Sequence, residues 1–122
     1  MIYPEIGLNC SPFHIFPKQP DMFVHHVYFW LKRPSSEEDL QALVDGLRTL
    51  SAVPQIKSFH IGKPADTNRP VIDASYSVSW LNIFDSAADE AVYQEHPMHL
   101  EFIAKCSHLW ERVVVYDSEE LS

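Results

Sequence analysis

The chain is poor in the residues that staple or loosen small proteins, with two cysteines and three glycines among 122 residues. Cys10 and Cys106 form at most one long-range pair, which is no disulfide framework, so the sequence reads as a protein of a reducing, cytoplasmic compartment. Gly7, Gly46 and Gly62 stand isolated, so there is no glycine-rich turn to cradle a phosphate, and no Gly-x-Ser-x-Gly turn presents a nucleophile. Cations are also scarce. Nine Lys and Arg against seventeen Asp and Glu give a net charge of −8, and the basic residues are scattered singly, which argues against a nucleic-acid partner. No apolar run reaches the ~20 residues that a membrane span requires. The first twenty residues lack both the basic start and the apolar middle of a signal peptide.

What the chain does have is apolar and aromatic bulk. At 46% hydrophobic and 12% aromatic it can bury one core without metal or disulfide support. Residues 1–21 carry Pro4, Pro12, Pro17 and Pro20 with no strand or helix period, and read as an extended or disordered leader. Residues 22–117 hold the periodic segments of one domain, and 118–122 read as a frayed tail.

Met22 to Leu31 is dense in aromatic and β-branched residues and reads as a strand. Both of its faces are largely apolar, so it should be covered on both sides. If the face of His26, Tyr28 and Trp30 is the helix-covered one, His26 looks into the interior and His25 into an outer seam. Ser35-Ser36-Glu37-Glu38 reads as a helix start, with Leu40, Leu43, Val44, Leu47 and Leu50 at helical spacing. Gln55 to Ile61 reads as a short strand, and Val71 to Phe84 as a longer one. Asp85 to Asp89 starts a second helix that breaks at His96-Pro97; a further helical piece runs to about His108 with Leu100, Ile103 and Ala104 as its core face. Arg112 to Asp117 closes the domain as a strand.

The order β-α-β-β-α-β is an α+β, ferredoxin-like arrangement: one antiparallel sheet with both helices on one side. The other sheet face is left open. A second copy of the sheet is its simplest cover, so a homodimer through the sheet face is expected.

Of the seven histidines, four fall in two short groups, His25-His26 and His96-Pro97-Met98-His99. Tyr93 lies three residues before His96, and the bend at Pro97 can aim a phenol and an imidazole at one cavity. The functional reading is an acid/base site of Tyr93, His99 and His26, since imidazole titrates near neutrality and a tyrosine hydroxyl can donate to a developing oxyanion. The structural reading is that His96 caps the second helical piece, His99 bonds to backbone, and Tyr93 is packing. A bound metal is disfavoured, because no Cys or Asp cluster joins His96 and His99 and the proline spoils one-face geometry. Trp80, like Tyr28 and Trp30, is a core residue or a ligand wall. Asn82, on the Trp80 face where an apolar residue is expected, either orients a ligand or satisfies a buried backbone group.

His26-Val-Tyr-Phe-Trp-Leu-Lys32, Phe84-Asp85-Ser86, Tyr93-x-x-His96-Pro97-Met98-His99 and the closing Trp110 to Asp117 together resemble the stress-responsive dimeric α/β-barrel (Dabb) family, over about Met22 to Asp117. The resemblance implies a ferredoxin-like protomer paired through its sheet into a dimeric barrel, with a cavity between sheet and helices. Most members have no assigned biochemical role, and a few are cyclases that use no cofactor. In those, the tyrosine matching Tyr93 and the histidine matching His99 serve catalysis, with a first-strand histidine matching His26 near the cavity.

Three functions follow as expectations. One is an enzyme without cofactor, acting on a small hydrophobic or carbonyl-containing ligand through Tyr93 and His99. The second is a non-catalytic dimeric binding or stress-associated protein. The third is a monooxygenase-like enzyme of the same barrel, also without cofactor.

Overall fold

A computed structural model describes residues 22–121; the leader and Cys10 lie outside them. Four strands, β1 (Phe23–Leu31), β2 (Ser58–Gly62), β3 (Val78–Phe84) and β4 (Trp110–Glu119), form one sheet in the order β2-β3-β1-β4. Every neighbouring pair is antiparallel. Among the described residues three α-helices, α1 (Glu37–Leu50), α2 (Ala87–Glu95) and α3 (Pro97–Cys106), and a 3-10 turn at Ser107–Leu109 complete the chain order. This is the expected α+β, ferredoxin-like arrangement, its second helix broken into α2 and α3.

Local chemistry sets the helix ends. The Ser36 hydroxyl accepts from the Asp39 amide at 3.1 Å, and acidic Glu37, Glu38 and Asp39 fill the positive first turn of α1. Ser86 does the same for α2, accepting from the Asp89 amide at 3.1 Å. His96 serves two helices at once. Its extended backbone (φ −65°, ψ 138°) ends α2, and its ring Nδ1 accepts from the Met98 amide at 3.1 Å to start α3, where Pro97 needs no amide partner.

The core lies between the helices and one sheet face. Leu43, Leu47 and Leu50 of α1 are 0–1% exposed, each burial contributing about 1.5–3 kcal/mol. From the sheet come Phe23, Val27, Phe29 and Leu31 of β1 with Val78, Trp80 and Phe84 of β3. The covered face of β1 is therefore that of His25, and His26, Tyr28 and Trp30 stand on the open face. Within β1 the aliphatic and Phe set suits a dry interior, whereas Tyr28 and Trp30 have polar edges that suit a wetter surface.

Other details depart from the pattern reading, beginning with the second strand, which starts at Ser58 and not Gln55. The third strand begins at Val78, because Asp73 turns the chain back by accepting from the Ser75 amide and hydroxyl at 2.9 and 2.6 Å. The buried face of α3 is Phe102 and Cys106, while Leu100, Ile103 and Ala104 face outward; the new start at Pro97 rotates α3 relative to a continuous helix. Ser118 and Glu119 are not frayed but pair with Val24 and Phe23. A register shift beside Trp30 leaves Glu111 extra, so that Trp110 and Val113 both reach the helix side.

Gly46 marks the closest approach of α1 to α3. A Cβ there would stand 2.7 Å from the Cys106 Sγ and 3.2 Å from the Phe102 ring. Gly46→Ala is expected to lower unfolding free energy by about 1 kcal/mol, the clash outweighing the helix preference for alanine. In a Cys106→Ala background the same change should become neutral or stabilising. Urea denaturation of the four variants checks the pair.

Candidate active site

Where α2 gives way to α3, the helices stand off the sheet and leave a cleft of about 190 Å³. Its polar end is built by His25 from β1, Tyr93 and Gln94 from α2, and His99 from α3. Phe29, Phe102 and Trp110 close the other end, with ring centroids 4.8–6.3 Å apart. Ile103, Val113 and Val115 form the mouth at 39–45% exposure, so access is along the β4 edge.

Tyr93 is the centre of the polar end and is 1% exposed. Its ring centroid is 4.7 Å from that of His99 and 5.9 Å from that of His25. The Trp80 indole N–H donates to its oxygen at 3.2 Å, and no acceptor for the phenol's own proton is found among the described residues. Burial pushes the Tyr93 hydroxyl up to about 12, against the smaller help of Trp80 and with a further push from Glu90. At neutral pH this group is a donor.

His99 is the complementary group. Burial holds its imidazole below the usual value, although a main-chain hydrogen bond with Gln94 and the charge of Glu90 work in the other direction. Its Nδ1 is buried without a hydrogen-bond partner among the described residues. A neutral imidazole with an unused buried nitrogen beside a protonated phenol is an acid/base pair in the geometric sense.

Sequence reasoning missed His25. It is 5% exposed, with Nδ1 2.7 Å from Asp117 Oδ1 and 3.5 Å from Glu90 Oε2. Register explains the first contact, since His25 and Asp117 are direct partners across β1 and β4. The His25 face of β1 carries Phe23, Val27, Phe29 and Leu31 and no Tyr or Trp, a weak pointer to the dry side that the apolar character of both faces obscures.

The structure does not bring His26 to Tyr93 and His99. It stacks on Tyr28 at 4.4 Å on the open face, where Tyr28 meets Tyr76 at 4.9 Å and Tyr116 at 6.1 Å. Burial, then the neighbouring His60, lowers the pKa of His26. Trp30 is on the same open face, donating to Ser75 Oγ at 3.0 Å under the Arg112 guanidinium, 4.2 Å above its ring. Trp80 does line the cleft. Asn82 does not: fully buried, it donates from Nδ2 to the His25 carbonyl at 3.3 Å, the backbone-satisfying role. No cluster of three His, Cys, Asp or Glu side chains suited to a metal ion occurs among the described residues.

The His99 imidazole should titrate below 6.5 by NMR. Glu90→Gln should lower it further, because the Glu90 charge favours the protonated ring; an unchanged or raised value would contradict this electrostatic arrangement.

Comparison with known proteins agrees with this architecture. Searched by sequence, the curated proteins contain no match. Among solved structures, the chain is similar to a Dabb-family protein with a ferredoxin-like fold from Mesorhizobium loti, at 26% identity and TM-score 0.70, covering 84% of this chain and 99% of that one. It is similar in fold to a dimeric ferredoxin-like protein of unknown function from Thermobifida fusca, at 17% identity and TM-score 0.68, covering 88% and 97%. A hydroxynitrile lyase from Passiflora edulis shares the fold at 22% identity and TM-score 0.69, covering 84% and 95%. The sequence profile of the stress responsive A/B barrel domain (Dabb) matches residues 23–120, and the chain belongs to that family.

Proposed function

We propose that the cleft performs acid/base chemistry on a small carbonyl-containing ligand, with His99 as base and Tyr93 as hydrogen-bond donor. The observation that carries the reading is the pairing of a buried imidazole nitrogen without a partner and a phenol held protonated, 4.7 Å apart by centroid, on one cleft. In the proposed step, His99 Nδ1 takes a proton from the carbon beside the carbonyl. The bonding pair moves into a carbon–carbon double bond and the carbonyl π pair onto oxygen, where the Tyr93 O–H donates to it. Trp80 N–H holds the Tyr93 oxygen from behind and so positions the donor. Return of the proton completes the cycle. The Passiflora lyase, at 22% identity, supports the fold's capacity for chemistry and not this reaction.

The second reading, a binding protein without catalysis, is favoured by the near-complete burial of Tyr93 and by the capping role of His96. Deuterium uptake into the methyl groups of acetone separates the two and presupposes no particular substrate. Wild-type protein should accelerate uptake, and His99→Ala should remove about 10²–10⁴-fold of that rate without lowering the melting temperature. Tyr93→Phe should cost about a hundredfold. The rate should fall as pH drops through an apparent value below 6.5, where the base is lost to protonation. Wild-type uptake no faster than buffer ends the enzymatic reading.

We also propose that two copies pair through the open sheet face. Its half-buried aromatic patch of Tyr28, Trp30 and Tyr76 supports this, as do related structures described as dimeric. Sedimentation should give the mass of two chains, and Leu81→Asp, on that face between His26 and His60, should give one. A monomeric wild type across micromolar concentrations overturns the proposal.

A further inference from the structure

The cleft has a sign as well as a shape. None of its lining residues is a lysine or arginine. The charged groups nearest its polar end are two carboxylates, Asp117 and Glu90, both addressed to the single Nδ1 of His25 at 2.7 and 3.5 Å. Even a protonated His25 leaves the carboxylates in excess. The groups offered to a ligand, the Tyr93 hydroxyl and the His99 ring nitrogen, are neutral ones that suit a carbonyl oxygen and a weakly acidic hydrogen. An anion placed there would lose its water with no counter-charge to replace it.

The far end is equally selective. Phe29, Phe102 and Trp110 make an aromatic pocket reached through the apolar mouth, and about 190 Å³ is below the ~300–1,000 Å³ of sites for drug-sized molecules. A volume of that size suits a ligand no larger than one ring or a branched chain joined to a carbonyl group.

We infer that the cleft takes a neutral carbonyl compound bearing one apolar ring or branched chain, and rejects the carboxylate of the same shape. The inference rests on the acid/base reading of Tyr93 and His99 above.

Phenylacetone and phenylacetate, nearly isosteric and differing in charge, are the probes. The three tryptophans give separate indole N–H signals in nitrogen-15 NMR: Trp80 and Trp110 line the cleft, and Trp30 lies on the opposite sheet face as an internal control. Phenylacetone should shift Trp80 and Trp110 in a saturable manner and leave Trp30 in place. Phenylacetate at the same pH should bind at least tenfold more weakly, and Glu90→Gln should narrow that gap. Equal binding of the two probes, a response at Trp30 alone, or a gap untouched by Glu90→Gln overturns the inference. The two claims fail separately. Selective phenylacetone binding without acetone exchange ends the proton-transfer reading and keeps the ligand class; exchange with equal binding of both probes does the reverse.

Discussion

The β1 strand is bonded along both edges, to β3 on one side and β4 on the other, and its two-residue period divides the molecule. Phe23, His25, Val27, Phe29 and Leu31 go under the helices; His26, Tyr28 and Trp30 go to the open face. A slip of one residue would exchange the two sets and put Tyr28 and Trp30 into the core. The same register sets His25 opposite both Asp117 and Asn82, giving its ring a carboxylate and its carbonyl an amide donor. Core, cleft and proposed seam are therefore three consequences of one pairing pattern.

The second device is the break at His96-Pro97. Tyr93 lies in the last turn of α2 and His99 in the first turn of α3, so the two rings approach from different axes, as residues six apart on a straight helix would not. The break is locally satisfied: the His96 amide donates to the Tyr93 carbonyl at 3.1 Å, its ring accepts from Met98, and its carbonyl accepts from His99 and Leu100 at 2.9 and 3.0 Å. A helix end that satisfies its own polar groups can be placed against a cavity without leaving orphaned backbone in it.

Much of this was legible in the sequence. Ser36 and Ser86 announce their helices, Pro97 announces the break, and the element order yields the ferredoxin-like arrangement. Tyr93 and His99 were legible as a pair because proline chemistry is local. The choice between His25 and His26 was not, because it depends on which face of a doubly apolar strand the helices cover, and that is decided by the whole core. The roles of Trp80 and Asn82 are half legible: a bulky ring reads as core or ligand wall and an amide on an apolar face reads as ligand contact or backbone partner, and which of each pair holds depends on cross-strand register. The buried face of α3 was misread for a related reason, since a helix restarted at Pro97 has its own phase.

The central claim is that Tyr93 and His99 act as one unit on one ligand. A double-mutant cycle on the acetone-exchange rate, with Tyr93→Phe, His99→Ala and both together, measures this directly. A single functional unit predicts that the double variant is hardly slower than His99→Ala alone. Independent losses that multiply in the double variant would contradict it.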